Sequence, residues 1–337
     1  MKQINETGSS GLQAGEEVTF DDIGSFPHAR IDGMSGEEYL SLVRSIMEMK
    51  ISAGVQVPTY PQLRDMIGMF LDPMRSPETT EGPYLIRRDA AEIMELDALR
   101  SIGRNIRVCV TGPLELYISE FGSTEYEDLL LNMAESVSRF IESAIDKARL
   151  LGIDVAVISI DEPSLGISSS IVFSEDVIIK ALDVATRGCA GRVDVQVHLH
   201  SPVYAELCAR VPGINVIGVE SASHPDYLDI IDRKVLEEND TFLRAGIART
   251  DILSMVARLN DRLGTNLWEQ PERLESEILR MESPEVIRKR LERAVRMFGD
   301  LVRYAGPDCG LGSWPSQNLA AGLLRNCARA IEMFQKM

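Results

Sequence analysis

Two of the chain's four histidines, His198 and His200, stand two residues apart in the run VDVQVHLHSP. Neutral imidazole is a ready metal ligand. Residues i and i+2 of a strand face the same side, so both rings can converge on one point. Two more donors sit in similar settings: Glu220 after the run INVIGV, and Cys309 within GPDCGLGSW. Nitrogen, oxygen and sulfur donors in this combination suit a tetrahedral zinc ion. The competing reading is a set of polar side chains that finish buried strand ends with hydrogen bonds. Other run ends carry Gly24-Ser25-Phe26-Pro27, Thr59-Tyr60-Pro61-Gln62, Thr111-Gly112-Pro113, Asp161-Glu162-Pro163 and Arg249-Thr250-Asp251. Half of these are turn formers, and the remainder are hydroxyls, an amide and carboxylates.

Something must bring these ends together. Short apolar runs recur near Val18, Gly54, Asn105, Asp154, Val193, Ile214, Phe242 and Gly306. The later ones are β-branched, as strands buried on both faces should be. Amphipathic stretches lie between them. Residues 126–152 place Leu129, Leu130, Met133, Val137, Phe140, Ile141, Ala144 and Ala148 at helical spacing and stop at Gly152. Residues 173–187, 205–211, 283–298 and 316–335 behave similarly. Ser283 is placed as an N-cap, with Pro284 and Glu285 in the first turn. Eight strands alternating with helices predict a closed (β/α)8 TIM barrel, with an open doubly wound sheet as runner-up. No G-x-G-x-x-G follows a strand, which leaves a dinucleotide site without support. The division expected is a polar tail over residues 1–17 and a single barrel domain over 18–337. Two helical insertions, near 60–103 and 252–282, are expected at the C-terminal face, where a barrel collects its chemistry.

Composition removes other classes. Against 35 Lys and Arg stand 52 Asp and Glu, a net charge of -17, so neither nucleic acid nor an anionic membrane is a natural partner. No run of about 18 apolar residues exists to span a bilayer, and the N-terminus lacks a signal peptide's apolar core. Five scattered cysteines do not form a disulfide framework, which predicts a reducing, cytoplasmic setting.

Five motifs, in order, resemble the catalytic domain of the cobalamin-independent methionine synthase family, and most closely its short archaeal-type core enzymes. They are DIGSFP (Asp22 to Pro27), VTGPLEL (Val110 to Leu116), ISIDEPSL (Ile158 to Leu165), GVES (Gly218 to Ser221) and PDCGLGSW (Pro307 to Trp314). The resemblance implies a TIM barrel with zinc at the strand C-termini, held by His198, His200, Glu220 and Cys309. It implies substrate contacts from Ser25 and Asp161, with Asp161 and Glu220 in the catalytic set. The implied activity is zinc-dependent transfer of a methyl group to a thiol, with homocysteine as first candidate acceptor, giving methionine. Zinc would deprotonate a thiol whose free pKa is about 8.5.

Three departures sharpen the expectation. The family's H-x-C is H-x-H here, which changes the zinc complex from singly negative to neutral and lowers the electron density on a bound thiolate. The family's acidic residue on the second loop has no clear counterpart in PTYPQLRDM, where Gln62 or Asp65 can stand in. The histidine that assists a folate leaving group is replaced by the region of Arg249 and Asp251. A folate amine needs general-acid help, whereas cob(I)alamin leaves without a proton, so a methylated corrinoid protein is the expected donor. Alternatives are transfer to another thiol such as coenzyme M, and a non-catalytic subunit that binds a corrinoid or methyl carrier. A decarboxylase barrel like uroporphyrinogen decarboxylase would instead need an arginine-rich, metal-free mouth.

Overall fold

The computed structural model describes residues 17–336 apart from Ala29 and Arg104. The polar tail expected over 1–17 therefore lies almost wholly outside the described residues. Among the described residues there are nine strands: β1 (Thr19–Phe20), β2 (Thr80–Gly82), β3 (Leu85–Ile86), β4 (Ile106–Thr111), β5 (Val155–Asp161), β6 (Asp194–Leu199), β7 (Val216–Val219), β8 (Phe242–Ala248) and β9 (Val302–Pro307). Seven form one parallel sheet in the order β1-β9-β8-β7-β6-β5-β4. The helices Glu127–Leu150, Glu175–Thr186, Ala205–Ala209, Arg233–Glu238 and Pro284–Phe298 lie in the successive crossovers from β4 to β9.

The expected eight-stranded barrel is thus found as a curled seven-stranded sheet. The apolar run near Gly54 lies between the two sheet edges without becoming a strand. Asp21 bridges Val57 and Thr59 bridges Arg107, both parallel and both isolated. Proline explains the interruption: Pro58 and Pro61 have no N–H to add to a ladder. A side chain substitutes for it. The buried Lys50 ammonium donates to the carbonyls of Gly24 and Thr59, each at 3.0 Å, and pairs with Asp22 at 2.7 Å. The eighth apolar run also needs a correction. Its strand is Val302–Pro307 and ends where the GPDCG motif begins. Arg303 disguises it, stacking on Phe242 and pairing with Asp194 at 3.1 Å.

Strand parity sorts the interior into two chemistries. Val108, Val110, Ile158, Ile160, Val195, Val197, Ile217 and Leu243 join the helices in the main apolar core. The alternate residues Arg107, Ser159, Asp161, Gln196, His198 and Arg244 are also buried but face away from that core. Below them Val57, Val157, Val216 and Tyr304 close a small apolar cluster.

The helices otherwise follow expectation. Ser283 sits at the N-cap of Pro284–Phe298, yet its side chain makes no bond to the helix's leading N–H groups. Helix Gly36–Ser52 opens on a full capping box, Ser35 with Glu38. The stretch 60–103 holds helix Gly68–Arg75 and the antiparallel pair β2–β3. The stretch 252–282 holds helices Ile252–Leu263 and Pro271–Met281. It packs toward the final helix, Gln317–Gln335, where Asn326 donates to the carbonyls of Leu279 and Glu282. No helix among the described residues is long and apolar enough to cross a membrane.

Candidate metal centre

His198 is the penultimate residue of β6, and its Cα partners are Asp161 on β5 and Gly218 on β7. His200 follows just past the strand, Glu220 just past β7, and Cys309 two residues past β9. Their ligand atoms all lie within 4.8 Å of one another. His200 Nε2 is 3.5 Å from Glu220 Oε1 and 3.7 Å from Cys309 Sγ. The two imidazoles meet nearly edge to face, ring centres 5.2 Å apart.

The electrostatics are those of neutral donors in a dry setting. Burial pushes the His198 pKa well below its ordinary value, and His200 downward as well. Burial pushes the Glu220 carboxyl up to about 8, helped by the nearby Asp308 charge. The Cys309 thiol is pushed up to about 12 by burial and by Glu220. Both ring nitrogens of His198 are buried without a hydrogen-bond partner. A buried imidazole with no partner is costly unless something else takes its lone pair. Two nitrogens, a carboxylate oxygen and a thiol around one point therefore fit a zinc ion.

Asp308 ties two of these donors together. Its carboxylate accepts the N–H groups of Ala222 at 2.9 Å and Ser223 at 2.7 Å, pinning the loop of Glu220 to the loop of Cys309. Gly246 makes room for it: a Cβ there would collide with the Asp308 side chain and approach the Val219 carbonyl to 2.9 Å.

A cavity of about 280 Å³ opens beside the donors, at the small end for ligand sites. Ser25, Gln62, Asp161, His198, His200 and Cys309 all line it, so these expected site residues come together. Ser25 is tied to the Cys309 loop: its Oγ accepts the Gly312 N–H at 3.2 Å and its carbonyl accepts Leu311 N–H at 2.8 Å. Asp161 accepts a 2.8 Å bond from Ser159, which in turn accepts one from Arg107 at 2.6 Å. Of the two residues offered for the second loop, Gln62 reaches the cavity. Asp65 is exposed and instead accepts the Gly68 N–H at the start of a helix. Arg249 does not line the cavity; it pairs with Asp251 at 3.0 Å. His224 stacks on Tyr227 outside it. Met66 and Ile67 bring the 60–103 insertion to the cavity, whereas no residue of 252–282 lines it.

Sequence reasoning missed two parts of this centre. Arg107 and Arg244 lie beneath it, fully buried, both bound to Asp21, at 2.8 and 2.9 Å. Their signal was a charged residue inside an apolar run, NIRVCV and FLRAGIA. Glu115 is the other, a carboxylate on the cavity wall in the first turn of helix Pro113–Phe121. Its signal was an acidic residue one turn past a strand end.

Known structures share this architecture. A B12-independent methionine synthase from Shewanella sp. W3-18-1, in complex with selenomethionine, superposes with a TM-score of 0.63 at 13% identity, over 95% of this chain and 98% of that one. A methyltransferase from Methanosarcina mazei gives 0.61 at 13% identity, over 95% and 94%. The GH5_18 protein from Streptomyces cattleya, in complex with GlcNAc, gives 0.55 at 10% identity, over 94% and 80%. The fold is TIM-barrel-like. At such identities the likeness speaks for the fold alone, which serves methyltransferases and other enzymes alike. No protein-family model and no curated protein sequence matches the chain.

Proposed function

We propose that this chain is a zinc-dependent methyltransferase of the cobalamin-independent methionine synthase type, its strands and the 55–59 segment together forming a complete barrel. The acceptor is a small thiol, homocysteine first, giving methionine, and the donor is a methylated corrinoid protein. The observation that carries this reading is the convergence of His198, His200, Glu220 and Cys309, with both His198 nitrogens buried and unpartnered. A similar fold that held selenomethionine supports an acceptor of amino-acid size.

Bound at these four residues, zinc would hold the acceptor sulfur as a thiolate at neutral pH. The chain's own groups do the rest. His198 and His200, neutral because they are buried, add no charge to the centre. Glu220, the one carboxylate of the set, would yield its place to the acceptor sulfur and take the proton that the thiol gives up. Ser25 and Asp161 hold the acceptor in the cavity. The sulfur lone pair then forms the S–C bond as the donor's carbon–cobalt bond breaks, and that electron pair stays on cobalt. No proton is needed at the leaving group, which agrees with Arg249 and Asp251 standing where the family's folate users carry a histidine.

The test is elemental analysis of wild type, His200→Ala and Cys309→Ser, alongside turnover of methylcobamide with homocysteine. We expect about one zinc per chain in wild type. The histidine variant should lose zinc in part and the cysteine variant almost entirely, with turnover falling in step and far-ultraviolet dichroism unchanged. Full activity in Cys309→Ser would refute the site. Stoichiometric zinc without turnover of any thiol would favour the non-catalytic carrier-binding subunit.

A further inference from the structure

The cavity wall carries a charge pattern that selects among thiols. None of its lining side chains is Lys or Arg, while Glu115 and Asp161 are both carboxylates. The two differ in how they are balanced. Asp161 is linked through Ser159 to the buried Arg107. Glu115 makes no ion pair among the described residues. Its Oε2 accepts the Ser164 N–H at 3.1 Å, which anchors the carboxylate beside the end of β5, on the cavity wall. Its own N–H donates to the buried Glu162 at 2.8 Å, fixing the helix turn that carries it. A second, independent feature of the same cavity asks for an acceptor atom. Gln62 is 5% exposed, and its Nε2 has no partner.

We propose that Glu115 is a specificity-determining residue: with Asp161 it receives a protonated amine, while Gln62 Nε2 donates to an acidic end of the same ligand. The acceptor class is then an α-amino acid thiol. Anionic thiols without an amine, such as sulfonates, meet two carboxylates and no cation, and are excluded. This rests on reading the cavity as the acceptor site of the proposed methyl transfer. A small cationic ligand also explains why the half-buried Glu115 carboxylate stands without a cation.

The experiment is calorimetric titration of the purified full chain, wild type and Glu115→Gln, with L-methionine and with 4-(methylthio)butanoate, its analogue without the amine. The amide keeps an oxygen for the Ser164 N–H, so the helix turn is preserved. Zinc content, measured on both proteins, reports an intact centre. Wild type should prefer L-methionine by tenfold or more, on the order expected for a desolvated charge pair. Glu115→Gln should bring that preference close to unity, by weaker binding of L-methionine and tighter binding of the analogue, with zinc content unchanged. A variant that keeps the preference, or a wild type that shows none or binds neither compound, overturns the proposal. A Glu115-dependent preference in a protein that methylates no thiol would leave this inference standing and remove the methyl-transfer reading. Turnover of homocysteine with the same KM in both proteins would do the reverse.

Discussion

Two buried polar regions lie one strand step apart, and they are built on opposite principles. In the lower one each carboxylate has a cation: Asp21 binds Arg107 and Arg244, and Asp22 binds Lys50, all at 2.7–2.9 Å. In the upper one His198, His200, Glu220 and Cys309 converge with lone pairs toward one another, and no cation stands among them. Burial alone does not set them apart: His198 is as inaccessible as Asp21, although His200, Glu220 and Cys309 are half-buried. What separates them is the pairing of charge. The lower layer sets every carboxylate against a cation of the chain, although Arg107 Nε, both Arg244 Nη atoms and the Gln196 amide lack hydrogen bonds; the upper layer gathers metal-donor types with no cation among them.

Three measurements break or sharpen that contrast. The largest effect is expected from Asp21→Asn, which leaves two buried guanidinium groups without their carboxylate. Loss of one partner of a buried ion pair costs about 3–5 kcal/mol. Urea unfolding should show a loss of that order, while zinc bound per folded molecule stays at the wild-type value. An Asp21→Asn protein of normal stability that has lost its zinc would erase the distinction between the layers.

Asp308→Asn comes next. Its effect should fall on metal binding rather than the fold, because the carboxylate joins the Glu220 and Cys309 loops through Ala222 and Ser223. Residues that orient metal ligands are worth about 10–100-fold in affinity. Competition with a chromophoric chelator should show zinc held at least tenfold more weakly. Unaltered affinity would mean that the two loops find their places without the Asp308 tie.

The smallest effect is a pH slope in chelator-treated protein. Burial raises Glu220 from its ordinary 4.5 to about 8, so the folded chain favours the protonated carboxyl. Its contribution to stability is full below about 4.5 and is lost as pH rises through about 8. Wild type should therefore lose stability relative to Glu220→Gln across that window, read as the difference between their melting temperatures. Parallel curves would show that Glu220 ionises without cost, as it would in a solvated mouth.

The upper layer was the more legible of the two in the amino-acid sequence. Metal-donor types at strand ends made His198, His200, Glu220 and Cys309 candidates, the resemblance carried by the five motifs pointed to the same four, and their ligand atoms do converge. The lower layer was hidden because Arg107 and Arg244 are single charges in apolar runs, and only the sheet's parity shows that they meet Asp21. The same physics explains the strand errors. Pro58 breaks a run that otherwise reads as a strand, and Arg303 makes a true strand look polar until Phe242 covers it. Glu115 escaped notice because its meaning depends on the absence of cations around it, which is a property of the assembled wall.

The two isolated bridges at Val57 and Thr59 make the wall of two kinds of join. From β4 round to β9 and β1 it is held by parallel ladders. Across the 55–59 segment single backbone bonds remain, Val57 N–H to Phe20 and Arg107 N–H to Pro58, and buried side chains carry the rest: Lys50 on the Gly24 and Thr59 carbonyls, and Arg107 on Asp21. Like a ring closed by a clasp, the wall is fastened there by charge. Ser25, just beyond that join, is bonded to Gly312 and Leu311, so the clasp and the Cys309 loop set one another's position.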